Sequence, residues 1–94
     1  MGIWATFSTV LKLVRVEVRY YAQLRENLRL SCEEVELELP ITEDGILNQL
    51  ATLHPTQEKL IHASRIAVED AYLPRGTVID ELTSIDVISP ISGG

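Results

Sequence analysis

The chain ends Pro90-Ile91-Ser92-Gly93-Gly94, and the most distinctive reactive group this offers is the free carboxylate of Gly94. Two successive glycines, lacking Cβ atoms, can pass a narrow channel and adopt backbone conformations closed to other residues. Pro90, with its fixed φ, stiffens the exit before the glycines loosen it. A terminal carboxylate, with a pKa of about 3.5, is ionised at neutral pH and is an inert acyl group until it acquires a leaving group. Attack of the Gly94 carboxylate on the α-phosphate of Mg-ATP would give an acyl-adenylate, and sulfur from a persulfide could then displace AMP to leave a thiocarboxylate. Such activation needs a separate ATP-using enzyme. The isolated chain is therefore expected to catalyse nothing and to bind no cofactor of its own, with ATP-Mg used by the activating partner. The bland alternative is a frayed terminus that happens to end in glycine.

Other side chains offer less. Cys32 lies between Ser31 and Glu33, where neighbouring carboxylates disfavour the reactive thiolate, so a structural role is expected. His54 and His62 are the only histidines, with no partner at ligand spacing, and no metal site is expected. Glu34, Glu36 and Glu38 alternate along one strand face, which leaves nothing to close a coordination sphere and reads as a solvated edge that discourages strand pairing.

Ninety-four residues with 46% hydrophobic content and a mean hydropathy of +0.12 suit one domain with one modest core, of roughly 5 kcal/mol net stability. That argues against a self-sufficient enzyme with a large polar cleft. A net charge of −6 repels phosphate backbones, so no nucleic-acid partner is expected, whereas a basic protein partner would be welcome. A single cysteine fits a reducing compartment. No apolar run reaches the roughly 20 residues of a membrane span, and Met1 to Val14 lacks a secretory-signal layout, so a cytoplasmic protein without membrane contact is expected. Met1-Gly2-Ile3-Trp4-Ala5-Thr6 matches the bare myristoylation pattern, but with no basic cluster to supply a second anchor. Residues 1–13 read instead as an N-terminal extension.

The elements that must position the tail follow from periodicity. Val14 to Tyr21 alternates strictly, with Val14, Val16, Val18 and Tyr20 on one face and Arg15, Glu17 and Arg19 on the other: a half-buried strand. Ala22 to Leu30 reads as a short helical turn and loop. A second strand, Glu34 to Leu39, points Val35, Leu37 and Leu39 inward and ends at Pro40. Thr42 is a plausible N-cap, Glu43 and Asp44 complement the helix dipole, and Ile46, Leu47, Leu50 and Leu53 form the apolar stripe of a helix ended by His54-Pro55. Gly45 in its first turn is a local cost of up to about 1 kcal/mol. A short helix near Gln57 to Ala63, brief strands at 66–68 and 70–73, a Pro74-Arg75-Gly76 turn and a last strand Ile85 to Ile88 complete the chain. In that last strand Ile85 and Val87 point one way, Asp86 and Ile88 the other. One amphipathic helix covering one face of a sheet is an α+β arrangement, with the domain at 14–88 and a flexible diglycine tail at 89–94.

Two segments carry a resemblance: Val18-Arg19-Tyr20-Tyr21-Ala22-Gln23-Leu24-Arg25-Glu26, and the terminal Pro90-Ile91-Ser92-Gly93-Gly94. They resemble the MoaD family, the small subunits of molybdopterin synthase within the MoaD/ThiS ubiquitin-like sulfur carriers, whose length residues 14–94 also match. The resemblance implies a ubiquitin-like β-grasp: a mixed four- to five-stranded sheet, the chain ends side by side as central parallel strands, one main helix on one face. It implies that Gly94, preceded by Gly93, is adenylated by an E1-like enzyme of the MoeB type and becomes the sulfur-bearing thiocarboxylate. The tail, with Pro90, Ile91 and Ser92, would insert into a MoaE-type large subunit in a hetero-oligomer and donate sulfur to cyclic pyranopterin monophosphate. Arg25 falls on an arginine available for partner contacts, and Ile88 on an apolar position beside the tail. Two departures stand out. Ser89 replaces a common first proline, which is expected to loosen the tail exit, and Asp80 to Ser84 lacks the usual Gly-Asp turn. Carriers for thiamine or tRNA thiolation, and ubiquitin-like modifiers joined by isopeptide bonds, share the terminal diglycine and remain open alternatives.

Overall fold

The computed structural model describes residues 11–90. Strand β1 spans Lys12–Tyr21 and buries Val16, Val18 and Tyr20 completely or nearly so, as its alternation requires. It begins ahead of Val14: Lys12 and Leu13, expected in the N-terminal extension, pair with Leu39 and Glu38. Helix α1, Ala22–Leu28, follows without a linker and buries only Leu24. Strand β2, Cys32–Leu39, runs antiparallel to β1, burying Leu37 and Leu39 while Glu34, Glu36 and Glu38 face solvent.

Helix α2, Glu43–Leu53, starts at Thr42, whose Oγ accepts the Gly45 N–H at 3.2 Å. Its buried positions are Glu43, Ile46, Leu47, Leu50 and Ala51. Leu53, expected on this stripe, is half exposed, because the buried face of Glu43, Ile46, Leu47, Leu50 and Ala51 is centred between Leu47 and Leu50, and at the helical rotation of about 100° per residue Leu53 falls on its margin. Gly45 has a packing reason: a Cβ there would lie 2.7 Å from Cγ1 of Ile41. After a 3₁₀ turn at Pro55–Gln57 comes α3, Glu58–His62, which buries Ile61.

Strands β3 (Arg65–Val68) and β4 (Ala71–Tyr72) form a hairpin whose two linking residues, Glu69 and Asp70, have φ of 52° and 69°, the signs a two-residue type I′ turn requires. Strand β5, Ser84–Ile88, inserts between β1 and β3, parallel to the first and antiparallel to the second. The sheet order is β2-β1-β5-β3-β4. The loop before β5 is held by backbone bonds between Ile41 and Ile79, by the Thr83 carbonyl accepting the Glu17 N–H at 3.0 Å, and by Leu82 in the core. The segment Asp80 to Ser84, which lacks a Gly-Asp turn, is thus anchored. Helix α2 packs on the face bearing Val16, Val18, Ile85 and Val87; the described residues leave the opposite face uncovered. This mixed sheet with helices on one side is α+β.

Candidate functional site: the root of the C-terminal tail

The tail leaves from the middle of the sheet. Ile88, the last residue of β5, lies in register with Tyr21 on β1 and Arg65 on β3. Ser89, expected to begin the flexible segment, is only 1% exposed. Its Oγ accepts the Leu24 backbone N–H and donates to the Tyr21 carbonyl, each at 3.2 Å. The exit is therefore tied down at the position where a loosening was expected, because a hydroxyl reaches two backbone groups that a proline ring could not. Pro90 is exposed. Ile91, Ser92, Gly93 and Gly94 lie outside the described residues, as do residues 1–10 of the expected extension.

The uncovered face beside this exit is ordered by charge. Oδ1 of Asp86 accepts from Arg19 Nε at 2.7 Å and from the Tyr21 hydroxyl at 3.2 Å, and Arg19 also reaches Glu17 at 3.2 Å. The Asp86 carboxylate, by hydrogen bond and by charge, holds the Arg19 guanidinium even more firmly protonated than usual. Next to this row Ala67, Asp70, Tyr72, Asp86 and Ile88 line a shallow groove of about 240 Å³. Ile88 is half-buried on this face, as its parity with Asp86 predicts. Arg25 stands exposed on α1, directly after the residue that Ser89 holds.

Two polar clusters escaped the sequence reading. Glu33 accepts both the Tyr20 hydroxyl and His54 Nε2 at 2.6 Å, and the two rings meet edge to face with centroids 6.0 Å apart. Burial first, then the Glu33 carboxylate, pushes the Tyr20 hydroxyl well above its ordinary pKa. The parity of Glu33 with Val35, Leu37 and Leu39 was the available signal. Glu43, 5% exposed, accepts the Ile66 N–H at 2.8 Å and Arg65 Nε at 3.0 Å. It lies on the Ile46, Leu47 and Leu50 stripe, a sign that it caps a neighbouring strand as well as complementing the dipole. Both clusters are scaffolding on the covered face.

Among the described residues no group of His, Cys, Asp and Glu could hold a metal ion. Cys32 is exposed at the start of β2, in register with Arg19, so it contributes nothing to the core. No helix among the described residues is long and apolar enough to cross a membrane.

The sequence profile of the ThiS family matches residues 18–94, a span that includes both the β1–α1 segment and the diglycine. Among curated proteins, none matches the chain in sequence. Among solved structures, a candidate molybdopterin converting factor, subunit 1, from Pyrococcus furiosus superposes with a TM-score of 0.66 at 20% identity, over 83% of this chain and 99% of that one. SAMP1 from Haloferax volcanii gives 0.68 at 18% identity, over 86% and 100%. A crystal structure of H. volcanii small archaeal modifier protein 1 gives 0.67 at 16% identity, over 83% and 99%. At these identities the likeness establishes a shared ubiquitin-like β-grasp fold.

Proposed function

Because the chain belongs to the ThiS family, of the MoaD/ThiS ubiquitin-like superfamily, we propose that it is a sulfur carrier whose working group is the Gly94 carboxylate. The observation that carries this reading is the continuity of the family match through the terminal diglycine, on a chain whose last strand ends in a tied-down exit. An E1-like adenylating enzyme of the MoeB type would use ATP-Mg to convert the carboxylate to its adenylate. The outer sulfur of a donor persulfide then attacks the adenylate and displaces AMP, giving an acyl disulfide, and a second thiol cleaves its S–S bond, leaving C(=O)–S⁻ on Gly94 and a disulfide between that thiol and the donor cysteine. This chain holds no cofactor in that scheme; its own contribution is a threadable tail on a rigid base.

The pathway proposed is molybdopterin synthesis, supported by the β1–α1 segment from Val18 to Glu26 and by the name of the P. furiosus neighbour. A MoaE-type large subunit would receive Gly93 and Gly94 in its active site and dock on the uncovered face. Ile88, beside the groove with Tyr72 and Ala67, would then lose its remaining exposure, and Arg25, Pro90, Ile91 and Ser92 would line the contact. The name of the small archaeal modifier protein keeps conjugation as the second reading.

Intact mass separates the readings. After incubation with an adenylating enzyme, ATP and a sulfur donor, sulfur carriage adds about 16 Da as one oxygen becomes sulfur, whereas conjugation adds a whole protein. Removal of Gly94 should abolish the gain with the fold intact, and sulfur transfer by the truncated chain would refute the proposal.

A further inference from the structure

We propose that Ser89 is a positioning residue: its hydroxyl locks the root of the C-terminal tail to the corner between β1 and α1, and so sets the direction in which the tail is presented. The need is visible in the corner itself. Tyr21 is the N-cap of α1 but supplies no side-chain capping bond, and Ala22 sits at φ 58°, a left-handed conformation that a non-glycine residue adopts only when its surroundings hold it there. The first-turn N–H of Leu24 would be left without an acceptor inside the helix. Ser89, distant in sequence, fills that place from the neighbouring strand: its Oγ takes the Leu24 N–H and its O–H is given to the Tyr21 carbonyl. One buried hydroxyl thus clasps both sides of the bend.

Its location gives the clasp a consequence beyond capping. The parallel ladder between β1 and β5 ends at Tyr21 and Ile88, so Ser89 is the last described residue whose side chain ties the chain down before exposed Pro90. Loss of the hydroxyl releases the tail root and α1, which carries Arg25, from each other. A serine here and a proline stiffen the same exit by different means: the ring fixes one torsion, whereas the hydroxyl fixes the exit relative to a second element.

The functional half of this inference rests on the sulfur-carrier reading; the positional half does not. A nitroxide on exposed Cys32, at the same end of the sheet through its register with Arg19, reports where the tail points. Paramagnetic broadening of the Gly93 and Gly94 amides would be compared for the wild type, Ser89→Ala, Ser89→Thr and Thr42→Ala. The last of these removes a cap of similar worth at the distant α2 N-terminus. The expected result is an altered tail profile in Ser89→Ala alone, with Ser89→Thr keeping the wild-type profile. An unchanged profile in Ser89→Ala would overturn the proposal and leave Ser89 a cap only. With an adenylating enzyme, Ser89→Ala should raise KM for the carrier about 3- to 10-fold, the effect of one lost hydrogen-bonded clasp, at nearly constant kcat. Thr42→Ala should leave KM unchanged, and an equal rise in both would also overturn the proposal. Absence of any sulfur gain on the wild type would refute the carrier reading, while the tail profile would still decide the role of Ser89.

Discussion

Tyr20 and Tyr21 are adjacent on β1, each donates its hydroxyl to a carboxylate, and they lie on opposite faces of the sheet. Tyr20, 1% exposed, meets Glu33 at 2.6 Å with His54 closing the group. Tyr21, half-buried, meets Asp86 at 3.2 Å with Arg19 as the third member. The covered-face cluster joins β1, β2 and the end of α2, where an unpaired polar atom would be costly, and it serves the fold. The uncovered-face cluster fixes the side chains around the tail exit, where no element of the described chain packs, and under the proposed function it would order the docking surface. Strand parity alone assigns these two tasks.

The sharpest way to break this contrast is at neighbouring residues of β5. Val87→Asp would place a carboxylate in the core between Tyr20 and Ile66, its register partners on β1 and β3, which are 1% and 0% exposed, and should unfold the domain, a loss of about 4 kcal/mol or more. Ile88→Asp should leave the thermal midpoint nearly unchanged while lowering affinity for the proposed large subunit by about 30- to 1,000-fold, or 2 to 4 kcal/mol. Thermal melts beside calorimetric binding make the comparison. An unfolded Ile88→Asp or an unaffected affinity would show that the uncovered face is not the docking face.

Removing one carboxylate from each cluster tests them next. Glu33→Ala leaves the buried Tyr20 hydroxyl without its acceptor and should cost about 1 to 3 kcal/mol. Asp86→Ala acts where the Arg19 side chain is 38% exposed and water can compensate, so it should cost less than about 1 kcal/mol. Denaturant titration of both proteins checks the ranking, and equal losses would erase the distinction between the faces.

Most of this architecture was legible in the sequence, and the exceptions share a cause. Alternation in β1 and β2 and the Thr42 cap identify the covered face, because each depends on residues close in sequence. The contacts of Glu33, Glu43 and Ser89 are not legible locally because their partners are distant in sequence: His54, Ile66 with Arg65, and Tyr21 with Leu24. For the two glutamates the periodicity points inward, whereas the charge by itself favours solvent. For Ser89 there was no local signal. Only the parallel pairing of the first and last strands brings it to the β1–α1 corner.

Alkaline titration probes the covered cluster without a large perturbation. The ordinary tyrosine pKa is 10.0 and that of Tyr20 is raised in the fold by burial and by Glu33. Above about pH 10 the unfolded chain therefore loses this proton while the folded chain keeps it, and stability falls by up to about 1.4 kcal/mol per pH unit until the folded value is reached. Below pH 10 both states are protonated and the contribution is fully present. Melts between pH 8 and 11 should show the decline in the wild type and a shallower one in Tyr20→Phe; parallel curves would mean that Tyr20 is not the responsible group.

The smallest effect belongs to Cys32, on the uncovered face but at the exposed start of β2. If the face matters through the tail exit and the groove beside it, a residue there outside the groove should be replaceable. If sulfur travels on the C-terminus, its thiol is also chemically idle. Cys32→Ser exchanges one small polar group for another at a solvated site, so stability should change by no more than about 0.5 kcal/mol. Thiocarboxylate formation, read as the intact-mass gain, should proceed at the wild-type rate. A folded Cys32→Ser protein that fails to gain sulfur would move the chemistry from the terminal carboxylate to a side chain, and the uncovered face would then be a reactive surface instead of a docking one.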